Sequence, residues 1–363
     1  MAKRGRFQQQ KVRRKGIAGR VFLVVVVLIF LLAAGTVAAG VVYYNSMLNL
    51  VTRPESTEKV LSDEELEQIL GFVPEKIETQ ETEETEVKET EAPKKEVKDN
   101  IVNIMLVGQQ ARKNETAKLS DTMILCSINK DTKTITLTSF LRDLYVKLPD
   151  FQGHRCGKNR INVAYNLGWY WAGEKGGMEM LDQLIWENFG VEVDYNIEIG
   201  FEAFKDVINA MGGVDIELTA AEAGYLRLGG AGSYHLDGDS ALGYARIREI
   251  DNDFNRTARQ RKLVTTLINK CKKMSLSELN ELIKTILPMV ITDMTNEEIT
   301  SCALELLPMV VDLKIESNQI PAEGTYWFDM LDIVGVESSV IICDEEENGK
   351  LLRAIAEPTA SGN

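Results

Sequence analysis

The chain has 363 residues, 44% of them hydrophobic and 26% charged, with 41 Lys and Arg against 55 Asp and Glu and a formal net charge of −14. Eight of the basic residues sit in positions 1–20, which hold no acid, so the rest of the chain carries 33 basic against 55 acidic side chains, a formal −22 that argues against nucleic acid as a partner. Two histidines, and five cysteines without a CxxC pair, leave little material for a histidine-based zinc site, a Ser-His-Asp triad or a disulfide framework.

In chain order, residues 1–20 read as a basic cytoplasmic segment. Residues 21–44, VFLVVVVLIFLLAAGTVAAGVVYY, form an uncharged run long enough to span a bilayer as one transmembrane helix. The basic flank predicts a single-pass protein of the cell membrane with its N-terminus in the cytoplasm, its C-terminal part extracytoplasmic, and Tyr43 and Tyr44 at the far interface. A cleaved export signal is the alternative, because small residues close the run. Residues 45–100 read as an acidic extracytoplasmic linker. KVLSDEELEQILGFV has the spacing of a short amphipathic helix, but KIETQETEETEVKETEAPKKEVKDN is nearly devoid of large apolar groups and cannot offset chain entropy, so a disordered tether is expected.

Folding is expected to begin at Ile101. IVNIMLVG is a continuous apolar run ended by Gly108, the pattern of a buried central strand, and TMILCSI, NKDTK and TITLTSF read as strand, turn and strand. LRDLYVKLP leads into an expected loop, FQGHRCGKNRINVAYNLGWYWAGEKGG. GMEMLDQLIWENFG predicts a helix, VEVDYNIEI a strand, FEAFKDVINAMGG a helix closed by glycine and VDIEL a strand. Residues 275–306 read as two helices, VDLKIES and SVIICD as late strands, and EEENGKLLRAIAE as a closing helix. The alternation predicts an α/β fold, an α-β-α sandwich with a mixed central sheet flanked by helices on both faces. Cys126 and Cys271 fall on apolar stripes, as buried free thiols do. There is no internal repeat.

The chemically dense stretch is YARIREIDNDFNRTARQ, 244–260. Its first part alternates like a strand, with Tyr244, Arg246 and Arg248 on one face. In its second part Arg256, Arg259 and Gln260 are spaced i, i+3, i+4, and the stripe continues through Leu263, Val264, Leu267, Ile268 and Cys271, so the inward face of a helix begins with arginines. Buried guanidinium groups require anionic partners, either internal carboxylates or a bound polyanion. Asp251 and Asp253, just before the helix, are placed to cap it or to orient the arginines, and a helix start ringed by guanidinium forks suits phosphate. A purely structural salt-bridge cluster is the alternative.

Four other places carry charge or aromatic character. Asp121 at the mouth of an apolar strand offers a carboxylate to a hard cation, or simply a turn. Arg142 and Asp143 follow TITLTSF and emerge at the edge of the sheet, where α/β proteins bind ligands; a local ion pair is the other reading. Lys158, Asn159 and Arg160 add positive charge in a glycine-rich loop. Trp169, Tyr170 and Trp171 read as loop packing, with lipid contact or an apolar channel as alternatives.

LVGQQAR, LSDTMILCSINKDTKTITLTSFLRD, GKNRINVAYNLG, FEAFKDVINAMGGVDIEL, LDGDSALGYARIR and DNDFNRTARQR, in this order and spacing, resemble the LytR-CpsA-Psr family of bacterial cell-wall enzymes over about residues 101–273. The resemblance implies a catalytic domain at 101–273, with 274–363 completing it or forming an accessory region. It implies a phosphotransferase of the Gram-positive envelope that moves a glycopolymer, such as wall teichoic acid or a capsular or secondary polysaccharide, from a polyprenyl-pyrophosphate carrier to peptidoglycan. The partners would be that lipid-linked polymer, peptidoglycan and membrane lipid. Arg142, Arg160, Arg246, Arg248, Arg256 and Arg259 map to pyrophosphate arginines, Arg112 and Asp143 lie in the same motifs, Asp251 or Asp253 would position arginines or act as base, and Gln260 would support them. Magnesium would bind at Asp121. The chain departs from the pattern at Gln110, where the family usually carries an aspartate; a neutral amide oxygen binds magnesium more weakly than a carboxylate. That departure keeps two other readings in view, a non-catalytic polyprenyl-pyrophosphate-binding module and a lipid pyrophosphate hydrolase.

Overall fold

A computed structural model of the protein describes residues 46–56, 73–77, 100–109, 120–306, 312–333 and 336–357, with isolated positions between them. The apolar run 21–44 lies outside the described residues, among which no helix is long and apolar enough to cross a membrane.

Six strands form the central sheet: β1 (Ile101–Gln109), β2 (Ser120–Asn129), β3 (Thr134–Phe140), β4 (Tyr195–Gly200), β5 (Val290–Thr292) and β6 (Lys314–Ile320). Their order is β5-β4-β1-β2-β3-β6. β4 pairs parallel with β1 and β6 parallel with β3, while β2 lies antiparallel between β1 and β3 and β5 antiparallel beside β4. Four strands therefore point the same way, and the sheet is mixed. Both edges come from residues beyond 273, so the last part of the chain completes this sheet. The central strands are buried on both faces, which is why they read as continuous apolar runs.

Helices cover both faces and bury two cores. α1 (Asn162–Phe189) and the closing helix α8 (Glu345–Ala356) pack on one side through Leu181, Leu184, Ile185, Phe189, Leu352 and Ala356. On the other side lie α2 (Phe201–Ala210), α3 (Ala220–Tyr225), α4 (Gly238–Ala245), α5 (Asp253–Cys271), α6 (Leu276–Ile286) and α7 (Asn296–Leu306), with Val207, Ala241, Leu263, Leu267, Ile283 and Ile299 inside. All five cysteines are free and buried.

Outside the arginine stretch, three parts of the chain depart most from the sequence expectation. The loop expected through 151–177 is largely α1, broken at Ala172 and Gly173, where glycine supplies a φ of 70°. The two helical pieces press together at Gly168 and Gly176, where an added Cβ on Gly168 would lie 2.1 Å from the Gly176 carbonyl oxygen. Trp169, Tyr170 and Trp171 thus belong to a helix: Tyr170 is buried, and Trp171 stacks on His154 at 4.6 Å and Phe151 at 6.2 Å.

The second difference is in 46–56, expected to be spacer. Met47, Leu48 and Val51 are buried in the larger core, and the Thr52 amide donates to the Val290 carbonyl (3.1 Å) while the Thr52 carbonyl accepts from the Thr292 amide (3.1 Å), extending the β5 edge. Apolar side chains at 47, 48 and 51 gain burial that the acidic stretch cannot. Glu75–Lys76 also pairs with His154–Arg155.

The third is a terminal hairpin, β7 (Tyr326–Ile333) with β8 (Val336–Cys343), of which only the second strand was legible. It leaves the end of β6 and is held to the main body where the Ile341 amide donates to the Asp143 carbonyl (2.9 Å).

Candidate active site

The functional side chains converge where β1, β3 and β4 end and α5 begins. Asn252 caps α5, its side-chain oxygen accepting from the Asn255 amide at 3.0 Å, which leaves the flanking Asp251 and Asp253 to face arginines. The first part of the arginine stretch is not a strand. Residues 244 and 245 are the last turn of α4, Arg246 is its C-cap and the chain turns through 247–250. A five-residue alternation matched the strand period only because the helix stops there. Gly238 opens α4 against α2, where a Cβ would stand 2.3 Å from the Lys205 carbonyl oxygen, so only glycine admits this approach.

Arg256 is 1% exposed and donates to both carboxylate oxygens of Asp253, at 2.8 and 3.0 Å. Asp253 also faces Arg142 (Nε to Oδ1, 3.8 Å). Arg142 reaches Asp143 (Nε to Oδ2, 3.2 Å), and Asp143 in turn faces Arg160 (3.7 Å). From Arg160 through Asp143, Arg142 and Asp253 to Arg256 the charges alternate. The local ion pair expected as one reading of Arg142 and Asp143 is present, and it is one link of this longer chain. Burial raises the Asp253 carboxyl above the usual aspartate range, against the opposing pull of Arg256 and Arg142 and with help from Asp143.

Arg259 sits differently. Its fork takes Asp251 in two hydrogen bonds of 2.7 and 2.8 Å, donates to the Ile247 carbonyl (2.8 Å) and faces Glu222 of α3 at 3.6 Å. It ties the turn after α4 to α5. Gln260 donates to the Ala245 carbonyl at 3.5 Å. Two residues here were missed in the sequence: Glu222, nearly buried against Arg259, and Arg261, which is buried, has its pKa lowered to about 10 by that burial, and reaches Gln319 of β6 at 3.4 Å. Neither lies on the stripe that the helix period picked out.

Beside the arginines lies an apolar cavity of ≈ 120 Å³ between the sheet and helices α2, α4 and α5. Leu106, Ile124, Ile197, Ile199, Phe204 and Leu263 supply its walls, and Arg246, Arg248, Arg256 and Gln260 its polar end. Arg246 and Arg248 are exposed, and the Arg246 guanidinium lies 5.1 Å from the centre of the Phe201 ring, held there by a cation–π contact. Such a shape takes a short apolar segment next to a multiply charged anionic head.

Gln110 and Arg112 lie outside the described residues, as does the side chain of Asp121. The backbone at Asp121 is nevertheless informative. Gly108 pairs with Thr122 and Gln109 with Ser120, so Asp121 is the extra residue of a β-bulge, a device that re-aims a side chain at the end of a strand. Gly108 and Thr122 both line the cavity. Among the described residues no group of three or more His, Cys, Asp or Glu is placed to hold a metal.

A family model, the LytR_cpsA_psr family, matches residues 71–348. Among characterised relatives, the polyisoprenyl-teichoic acid–peptidoglycan teichoic acid transferase TagU of Bacillus licheniformis is 30% identical over 238 residues, covering 62% of this chain and 72% of the relative. The corresponding transferase TagT of Bacillus subtilis is 28% identical over 249 residues, covering 63% and 71%. Among solved structures, B. subtilis TagV superimposes with a TM-score of 0.55 at 24% identity over 72% of this chain and 99% of that one, and TagT bound to LIIa-WTA with a TM-score of 0.54 at 23% identity over 72% and 92%. These structures share the fold, and with the family model spanning most of the sheet and every strand that frames the site, the chain belongs to the LytR_cpsA_psr family.

Proposed function

We propose that the protein is a glycopolymer–peptidoglycan phosphotransferase, moving a wall teichoic acid or a capsular or secondary polysaccharide from a polyprenyl-pyrophosphate carrier onto peptidoglycan. The observation that carries this reading is the apolar cavity ending in Arg246, Arg248 and Arg256: its walls suit a prenyl chain and its mouth a pyrophosphate. The relatives named as teichoic acid transferases support the same chemistry.

In the reaction, a hydroxyl oxygen of the wall glycan attacks the phosphorus attached to the glycopolymer. The new P–O bond forms as the bond from that phosphorus to the bridging oxygen breaks, and the electron pair leaves on the lipid monophosphate. The hydroxyl proton passes to Asp253. Its burial favours accepting a proton, while Arg142 and Arg256 keep it ionised beforehand and orient it. Arg142, Arg248 and Arg256 offset the charge developing on the phosphoryl and leaving oxygens; one such preorganised donor is worth roughly 2.7–4 kcal/mol of barrier. Asp251 does not take the proton in this scheme, since it is paired with Arg259, which does not line the cavity, whereas Asp253 is paired with Arg256, which does. Arg259 acts by holding Ile247 and hence the arginine-bearing turn.

Asp121 and Gln110 would offer a hard cation one carboxylate and one amide oxygen. Magnesium held by these two and by substrate phosphates would supply further charge neutralisation.

We place the protein in the cell membrane with this domain outside, anchored by 21–44. Docking of Met47 and Leu48 directly after that run supports a domain held close to the bilayer surface, where lipid-linked donors lie. The test is product analysis with a lipid-pyrophosphate glycopolymer, with and without peptidoglycan. Transfer that requires the acceptor and yields lipid monophosphate is expected. Release of free phosphorylated polymer regardless of acceptor would make the protein a hydrolase, and tight lipid binding without turnover at any magnesium concentration a binding module.

A further inference from the structure

The terminal hairpin exposes more large apolar surface than any other element described. Trp327 is 54% exposed, Phe328 62% and Met330 52%, on consecutive and alternate positions of one strand. Its placement is specific. Phe254, the neighbour of Asp253 at the start of α5, stacks on Tyr326 at 4.7 Å with planes 29° apart and meets Phe328 at 6.5 Å, while Tyr326 and Phe328 meet edge to face at 5.8 Å. Across the ladder Phe328 pairs with Ile341, whose amide is bonded to the Asp143 carbonyl. One face of β7, carrying Tyr326, Phe328 and Met330, is therefore continuous with the Arg142–Asp253 chain. Trp327 and Asp329 point to the other face.

We infer that this aromatic face is the acceptor subsite, where a sugar ring of the peptidoglycan glycan strand stacks and presents its hydroxyl to the phosphorus. The inference rests on the transferase reading. The apolar cavity accounts for the lipid end of the donor, so the acceptor must approach from outside the arginine mouth, and the aromatic surface joined to the Arg142–Asp253 side of that mouth is this one. Charge decides between a glycan and a lipid surface. Residues 321–344 include Glu323, Asp329, Asp332, Glu337 and Asp344 and no Lys or Arg, which repels anionic headgroups, while carboxylates among aromatic rings accept from sugar hydroxyls and the ring faces receive sugar C–H edges. A hairpin so acidic beside an arginine cluster also keeps the pyrophosphate on the arginine side.

The test measures binding of soluble peptidoglycan glycan fragments to the full chain by NMR titration, together with the acceptor and donor KM of transfer. Phe328→Ala is expected to weaken fragment binding and raise acceptor KM at least tenfold, with donor KM unchanged; Phe328→Tyr restores both, and Trp327→Ala, on the opposite face, leaves both near wild type. Equal loss in Phe328→Ala and Trp327→Ala, unchanged fragment binding in Phe328→Ala, or a Phe328-dependent association with phosphatidylcholine vesicles in place of glycan would overturn the inference. Fragment binding that depends on Phe328 in a protein without transfer would sink the transferase reading and leave the face a glycan-binding surface, no longer an acceptor subsite. Transfer with an acceptor KM indifferent to Phe328 would do the reverse.

Discussion

Arg256 and Arg259 lie one helical turn apart on the same face of α5, both almost fully buried, and the structure uses them in different ways. Arg256 faces the cavity, and its carboxylate partner Asp253 is shared with Arg142. Arg259 faces inward to Asp251, Glu222 and the Ile247 carbonyl and does not line the cavity. The same side chain is thus a ligand-facing charge in one register and a tie between chain segments three residues later. What separates them is which partners the tertiary fold supplies, and so an arginine stripe read from helical spacing does not by itself tell which arginines line the cavity.

This division can be broken by experiment. The largest effect expected is on stability. Asp251→Ala leaves Arg259 buried without its bidentate partner, a change that costs roughly 3–5 kcal/mol for a buried pair, measured as a lowered denaturation midpoint, with activity lost only in proportion to the unfolded fraction. Arg248→Ala, at an exposed position on the cavity rim, should do the opposite: an unchanged midpoint and a transfer rate lower by about 10²–10³-fold. If Arg248→Ala and Asp251→Ala both act mainly on stability, the proposed division fails.

A second effect concerns pH. Burial raises the Asp253 pKa, and the reaction uses its ionised form, so kcat/KM should fall as pH drops through a midpoint above the ordinary aspartate value of about 3.9. Asp253→Asn should remove that acid limb and slow transfer by about 10²-fold or more. An acid limb unaltered by this change would assign it to another group. Smaller again is the cavity effect. Val264→Trp, filling space beside Leu263, should raise the KM for a long-chain donor about tenfold, the scale of one to two kcal/mol of lost apolar contact, without weakening binding of inorganic pyrophosphate. Smallest is Gln110→Asp, which should reduce the magnesium concentration needed for half-maximal transfer a few-fold by adding a carboxylate donor, on the order of magnitude that charge contributes to divalent sites.

Much of the fold was legible because its strands are buried on both faces. IVNIMLVG and TITLTSF had to be continuous apolar runs, and Asn129 to Thr134 had to turn. The α5 stripe was equally plain, since Leu263, Leu267 and Ile268 repeat at helical spacing and are buried. Failures came where the signal was shorter than the period that reads it. Tyr244 to Arg248 fits a strand alternation over five residues, yet it straddles the end of an eight-residue helix. Met47, Leu48 and Val51 are three apolar residues beside a long acidic stretch, too few to outweigh its composition, though enough to dock on the core. Glu222 could not be paired with Arg259 from sequence, because 37 positions separate them and only the packing of α3 against α5 joins them. The hairpin face is of the same kind: Phe254 and Phe328 are ordinary aromatics until the fold brings them to 6.5 Å.

The most direct measurement is a crystal structure with a polyprenyl diphosphate and magnesium bound. The pyrophosphate should lie against Arg142, Arg248 and Arg256, with the prenyl chain between Ile197, Phe204 and Leu263 and no phosphate oxygen on Arg259. A pyrophosphate bound away from Arg248 and Arg256, or a prenyl chain outside the cavity, would contradict the account.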